Sequence, residues 1–117
     1  MKTIIQIKRI YDKPSSKDGF RVLVDRLWPR GIKKEVARID LWAKEIAPST
    51  ELRKWLHEDI ENRYKKFTEK YSSELRSNPS LKDLKNELRS RSMVTLLTSA
   101  KNPEKSHLPL IKKFLQK

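Results

Sequence analysis

The chain has no cysteine and only two glycines among its 117 residues. The first absence removes disulfides, thiolate metal sites and thiol nucleophiles together, and it fits a reducing cytoplasm. The second excludes Walker and dinucleotide loops, which need several glycines to bring backbone N–H groups close to a phosphate. Long apolar runs are missing as well. The opening Met1-Lys2-Thr3-Ile4-Ile5-Gln6-Ile7-Lys8-Arg9 is charged again too soon for a signal-peptide core or a membrane span. A soluble cytoplasmic protein that does not engage membranes is the expectation. The two histidines, His57 and His107, lack metal-ligand spacing, so neither a metal site nor a cofactor is expected. Acidic residues are few, 15 against 28 basic ones, giving a net charge of +13.

What is present is polar yet foldable. The chain is 36% hydrophobic and 37% charged, but three Trp, three Tyr and three Phe with short aliphatic runs argue against disorder. The length suits one domain, residues 1–117, and is too short for two of ordinary size. No internal repeat, low-complexity tract or linker interrupts it. The excess positive charge gathers at the two ends: residues 1–30 carry 8 basic and 3 acidic groups and residues 91–117 carry 6 and 1, whereas 31–60 are balanced at 6 and 6. Such a charge invites a nucleic-acid reading. No recognition element accompanies it, so any such binding is expected to be weak and non-specific.

The stretch Arg21 to Gly31 organises the rest. Val22, Leu23 and Val24 form an apolar run without helical spacing, as in a strand buried on both faces of a parallel sheet. Polarity then changes abruptly: Asp25, Arg26 and Arg30 crowd around Trp28-Pro29, and Gly31 closes the segment where a positive φ is needed. Ligands of open α/β sheets bind at such strand ends. Two guanidiniums there suit an anion, because their forks match carboxylate and phosphate oxygens.

Before this stretch, Thr3 to Ile10 reads as a first strand, and Pro14 to Gly19 as one helical turn or a tight loop capped by Ser15 or Ser16. The nine-residue connector Tyr11–Gly19 is short for a parallel crossover, so spacing leaves the direction of the first pair open. After it, Ile32 to Ile39 reads as a short helix and Asp40 to Ile46 as an extended edge or a loop. Ser49 is placed to cap a helix ending near His57. Tyr64, Phe67, Tyr71 and Leu75 define the clearest amphipathic helix, with Lys65, Lys66 and Lys70 on its wet face. Leu81, Leu84 and Leu88 mark another, with Ser80 as cap candidate. Met93 to Thr98 is the second strong strand, and Leu108 to Leu115 supplies a last helix.

Two strand ends thus open into polar loops, Asp25–Gly31 and Thr98–His107. If the strands are parallel neighbours, the loops meet and form an anion- or phosphate-binding pocket. Its candidate ligand-binding residues are Arg26, Trp28, Arg30, Ser99, Lys101 and Ser106. Asp25 and His107 are the candidate carboxylate and imidazole for acid–base work, provided a substrate lies within hydrogen-bond reach of them. Ser99 and Ser106 are conceivable nucleophiles, although neither sits in a Gly-x-Ser-x-Gly elbow. The plainer reading of the same residues pairs Asp25 with Arg26 or Arg30, buries Trp28 in the core and leaves His107 merely starting a helix. Trp28, Trp42 and Trp55 offer base-stacking rings, but each has apolar neighbours and suits a core equally well. Nothing in composition or spacing decides between an enzyme and a basic nucleic-acid-binding or regulatory module, or gives the oligomeric state.

Four segments together carry a resemblance: Lys8-Arg9-Ile10-Tyr11-Asp12, Asp18 to Gly31 with its Leu-Val-Asp-Arg-Leu-Trp-Pro-Arg-Gly run, Ala47 to Arg53, and Thr95 to Lys101. The chain resembles the YeaO-like family, within the DUF488 set classed only as a domain of unknown function. The resemblance covers nearly the whole chain. It implies a compact α/β domain with a small, mainly parallel sheet flanked by helices, and it supplies no activity. Wider relatives end their last strand in a Cys-Glu pair and begin the next helix with Cys-His-Arg. Thr98-Ser99 and Ser106-His107-Leu108 stand there in this chain, so only the histidine is retained and thiol chemistry does not carry over. A transcription-regulator label sometimes attached to the family finds no helix-turn-helix pattern here.

Overall fold

The centre of the sheet is β4, Met93–Thr98, whose Val94, Leu96 and Leu97 are fully buried. In the computed structural model, which describes residues 3–116, β4 lies between β1 (Ile4–Arg9) and β2 (Phe20–Leu23), and the two-residue β3 (Leu41–Trp42) lies beyond β2. All three pairings are parallel, with Ile5 beside Val94 and Val22 beside both Leu96 and Leu41. The fold is α/β. Met1 and Lys2 of the charged opening run and the terminal Lys117 lie outside the described residues.

Alternation along the strands sends successive side chains to opposite faces. Ile5, Val22, Val24, Val94 and Leu96 join the main core. Against them pack α2 (Thr50–Glu58), α3 (Ile60–Arg76), α4 (Ser80–Leu88) and α5 (Leu108–Leu115), which contribute Leu52, Leu56, Phe67, Tyr71, Leu75, Leu84, Leu88, Leu108 and Ile111. Leu23 and Leu97 face the other way, into a smaller cluster with Ile10, Ala37 of the four-residue α1 (Lys34–Ala37), and the rings of Trp28 and Trp42. Those two indoles meet edge to face at 5.4 Å. The remainder of that face is polar, because Lys8, Arg21 and Thr95 all point there and surround Asp18.

β1 and β2 are not a pair, since β4 separates them. The short connector suffices nonetheless: ten extended residues, 10–19, reach roughly 33 Å, while returning along a six-residue strand needs about 20 Å and stepping over one neighbour about 10 Å. A 3₁₀ turn at Ser16–Asp18, boxed by Ser15, ends the connector. Gly19 follows at φ +66°, where a Cβ would lie 2.3 Å from the Met93 carbonyl oxygen, so only glycine fits. At α4 the expected cap is corrected. Asn78 Oδ1 accepts from the Ser80 N–H at 2.9 Å, and Pro79, already helical at φ −63°, moves Ser80 inside the helix.

Candidate functional site

Because every pairing is parallel, the carboxyl ends of the strands open on one edge, and the chain leaves β2 and β4 side by side. Asp25 ties the two exits together. Its Oδ1 accepts from the Thr98 hydroxyl at 2.8 Å and its Oδ2 from the Ser99 N–H at 2.8 Å. His107, at the foot of α5, places Nε2 against the Val24 carbonyl and 3.6 Å from Asp25 Oδ1. A carbonyl only accepts, so Nε2 carries the proton and Nδ1 presents a lone pair. No buried side-chain nitrogen or oxygen lacks a partner among the described residues, and Nδ1 has none, so it reaches the open side of the ring. Burial pushes the His107 pKa down; Asp25 and the Val24 carbonyl oppose this, while Arg53 and His57 add to it, and the net direction is downward. The ring is therefore neutral at neutral pH, with its face set edge-on to Tyr71 at 6.1 Å.

Two adjoining clefts open above this floor and share Asp25, Pro48, Arg53, Ser99 and His107 in their linings. The larger, about 530 Å³, continues along His57, Phe67, Lys101 and Lys105. The other, about 450 Å³, runs under Tyr11, Leu27, Trp28 and Arg30. The chain thus brings Asp25, Arg26, Trp28, Arg30, Ser99, Lys101, Ser106 and His107 to a common region, though Lys101 and Ser106 stand in one lobe and Arg26, Trp28 and Arg30 in the other.

Two of these candidates, Arg26 lining the smaller cleft and Ser106 the larger, have their polar groups also engaged in holding loops. Arg26 donates from Nε to the Pro48 carbonyl at 2.7 Å and from an Nη to Ala47 at 3.0 Å, so most of its fork holds the loop before α2. Ser106 is buried; its hydroxyl donates to the Pro103 carbonyl at 2.6 Å and accepts from the Leu108 N–H at 3.1 Å. Trp28 is partly spent too, since its indole N–H donates to the Ile32 carbonyl at 2.7 Å. Asp25 forms no ion pair with Arg26 or Arg30 among the described residues.

The cation that sequence reasoning missed is Arg53. It lies on α2 one residue after the buried Leu52, exposed, and its guanidinium has no hydrogen-bond or ion-pair partner among the described residues. Arg53, Leu56 and His57 fall at i, i+3 and i+4, one helix face, and all three line the larger cleft. That spacing was the available signal, within a helix whose other features read as ordinary packing. Glu61 also lines this lobe, so the wall is mixed rather than uniformly basic.

The family model described as "Inactive DUF488-N3 subclade" matches residues 4–117. Uncharacterized protein YeaO of Escherichia coli (strain K12) is 44% identical over 112 residues, spanning 96% of this chain and 96% of its own. Uncharacterized protein Rv3073c of Mycobacterium tuberculosis (strain ATCC 25618 / H37Rv) is 39% identical over 113 residues, 97% of this chain and 94% of its own. Uncharacterized protein Mb3100c of Mycobacterium bovis has the same identity and coverage. No solved structure matches.

Proposed function

The chain belongs to the YeaO-like DUF488 family, and on that premise we propose that it is a small-anion-binding protein whose ligand occupies the cleft at the carboxyl ends of β2 and β4. The observation that carries the reading is Arg53: an unpaired guanidinium lining both lobes, in the same walls as Ser99 and His107. Guanidiniums bind oxyanions through parallel N–H donors, and a cleft of several hundred Å³ is ordinary for a small ligand. Binding without turnover is favoured by three facts. The chain has no thiol. No hydrogen bond joins the Ser99 hydroxyl to His107 among the described residues, so a serine–histidine nucleophile is not assembled. The matched family is described as inactive.

Calorimetric titration with inorganic phosphate and pyrophosphate tests the reading. Arg53→Ala is expected to weaken binding tenfold to a hundredfold or more, the loss of one charge-assisted hydrogen bond worth about 1.5–3 kcal/mol, with an unchanged circular dichroism spectrum. No detectable heat with either anion, or equal affinity in the variant, overturns it.

The charge of +13 favours one second reading, a basic nucleic-acid-binding surface without catalytic activity. Against base stacking, each tryptophan already has a cation over its ring: Lys34 over Trp28 at 5.9 Å, Lys44 over Trp42 at 5.0 Å, and Arg63 and Lys70 over Trp55 at 5.0 and 5.4 Å. Weak, sequence-independent and strongly salt-dependent duplex binding follows from charge alone. Selective nanomolar binding that survives moderate salt would favour the second reading. The lack of cysteine supports a cytoplasmic location. No helix among the described residues is long and apolar enough to cross a membrane.

A further inference from the structure

We infer that the ligand is a sugar phosphate, an anion attached to a skeleton bearing hydroxyl groups, rather than a bare oxyanion; this rests on the anion-binding reading above and specifies its chemistry. The cleft has two unlike levels. Its floor offers acceptors. Asp25 accepts one hydrogen bond on each carboxylate oxygen, from Thr98 and Ser99, whereas a carboxylate has about four lone-pair sites. His107 has its only proton engaged by Val24 and its Nδ1 lone pair open. Both groups line both lobes. Its walls are richer in cations, with Arg53 shared between lobes, Lys101 and Lys105 facing one acidic group, Glu61, on one side, and Arg30 on the other.

A phosphate pressed onto the floor would meet the Asp25 carboxylate and an imidazole lone pair, both repulsive to its oxygens. The same phosphate at the wall meets the Arg53 fork. The floor is then left to groups that donate, and the hydroxyls of a sugar are neutral donors that suit a carboxylate and an imine nitrogen together. Size agrees. Lobes of about 530 and 450 Å³ far exceed one phosphate and fall within the range of small-molecule sites, roughly 300–1,000 Å³. A free sugar phosphate and a nucleoside monophosphate share this chemistry. In the second case the base lies in the lobe under Tyr11, Leu27 and Pro29, where Leu27 is 72% exposed.

Calorimetry on the full chain at neutral pH tests the inference with ribose 5-phosphate, adenosine 5′-monophosphate, inorganic phosphate and ribose. Ribose 5-phosphate is expected to bind at least tenfold more tightly than inorganic phosphate, and ribose alone more weakly than ribose 5-phosphate. Tighter binding of the nucleotide than of ribose 5-phosphate supports the inference and assigns the source to nucleotides; the reverse order supports it and assigns a free sugar phosphate. Asp25→Asn is expected to act in opposite directions, weakening ribose 5-phosphate while strengthening inorganic phosphate, because it removes a repulsive charge. If the Asn variant does not fold, methyl phosphate on the unaltered chain takes its place: it keeps the anion and lacks the hydroxyls, so it should bind no more tightly than inorganic phosphate, and an affinity equal to that of ribose 5-phosphate overturns the inference. Equal, Arg53-dependent binding of inorganic phosphate and ribose 5-phosphate overturns the inference and leaves the anion site standing. No binding of any phosphate overturns both.

Discussion

Asp18 and Asp25 stand on either side of β2, seven positions apart, and their surroundings differ in kind. Asp18, 2% exposed, takes Lys8 Nζ at 3.0 Å, Arg21 Nη1 at 2.5 Å and the Ser15 N–H at 3.0 Å. The rest of the Arg21 fork closes on the Ala37 carbonyl, and Thr95 donates to the backbone carbonyl of Asp18 itself. Burial pushes the Asp18 pKa up, but the Ser15 N–H, Lys8 and Arg21 outweigh it and hold the carboxyl below the usual carboxylate range. Asp25, 12% exposed, is contacted among the described residues by two neutral donors and, at 3.6 Å, by an uncharged imidazole. A charge that its own chain neutralises in full is architecture. A carboxylate left with spare lone pairs, lining clefts that Arg53 also lines, is what the proposed ligand would meet, and only this second aspartate lies at the edge where both strands end.

Breaking the closed site should have the largest effect. Asp18→Ala leaves Arg21 as an uncompensated guanidinium at 4% exposure, and removing one partner of a buried pair costs about 3–5 kcal/mol. Urea denaturation will show this as a lower midpoint. Asp25→Asn, which keeps a hydrogen-bonding group among neutral neighbours, should cost less than half as much; equal losses would erase the distinction between the two aspartates.

The two glycines repeat the contrast one step down. Gly19→Ala combines positive φ with a Cβ 2.3 Å from the Met93 carbonyl, between β2 and β4, and something must shift. Gly31→Ala has the same handedness, φ +76°, but nothing within 4 Å, so its cost is the conformational one alone, about 1–2 kcal/mol. Thermal melts should rank Gly19→Ala clearly below Gly31→Ala.

Acid should also separate the regions. The His107 pKa is lowered on folding, chiefly by burial, so the unfolded chain binds a proton first. His57 shifts the same way, through burial and then Arg53. Their contribution is present above the unfolded value of 6.5 and is lost as pH falls below it. Asp18 is also depressed, from 3.8, so its share persists to lower pH and disappears only as the carboxyl protonates. Melting temperature against pH should therefore fall in two stages. His107→Gln should reduce the first stage to the share of His57 and leave the second; an unchanged first stage in the variant would show that the strand-end histidine carries no such linkage.

How far the chain announces this arrangement depends on whether the signal is local. Val22–Val24 and Met93–Thr98 were legible because a strand buried on both faces is predominantly apolar and β-branched, without helical spacing. Ser49, whose hydroxyl accepts from the Leu52 N–H, and the 3.6-residue stripe of α3 are equally local. The meeting of the two strand-end loops followed once parallel neighbours were assumed. Strand order was not legible, because a ten-residue reach permits a neighbour to be skipped but does not demand it. Nor was the closed network: Asp18 and Arg21 are three apart across a turn and a strand, outside either periodicity, and their third partner Lys8 lies on another strand. Arg53 escaped notice because α2 turns that face toward the cleft through packing of Leu52 and Leu56, which sequence shows only as an apolar stripe.

The smallest expected difference lies between two arginines that looked alike in the strand-end run. Arg26 is clamped to the Ala47 and Pro48 carbonyls, whereas Arg30 has an exposed side chain and, among the described residues, only its backbone carbonyl engaged, by the Tyr11 hydroxyl at 3.0 Å. Arg26→Ala releases the loop leading into α2 and should cost roughly 1 kcal/mol, since two charge-assisted bonds are lost but solvent takes over their exposed partners in part. Arg30→Ala should leave stability within about 0.5 kcal/mol, as for an ordinary surface substitution. In binding the order reverses. Arg30 retains a free fork at the cleft wall, so its removal should weaken phosphate binding a few-fold, less than loss of the shared Arg53, while Arg26→Ala acts on affinity only through the loop. Paired melts and titrations of the two variants decide it: a stability loss for Arg30 with unchanged affinity would mean that this guanidinium, too, belongs to the framework.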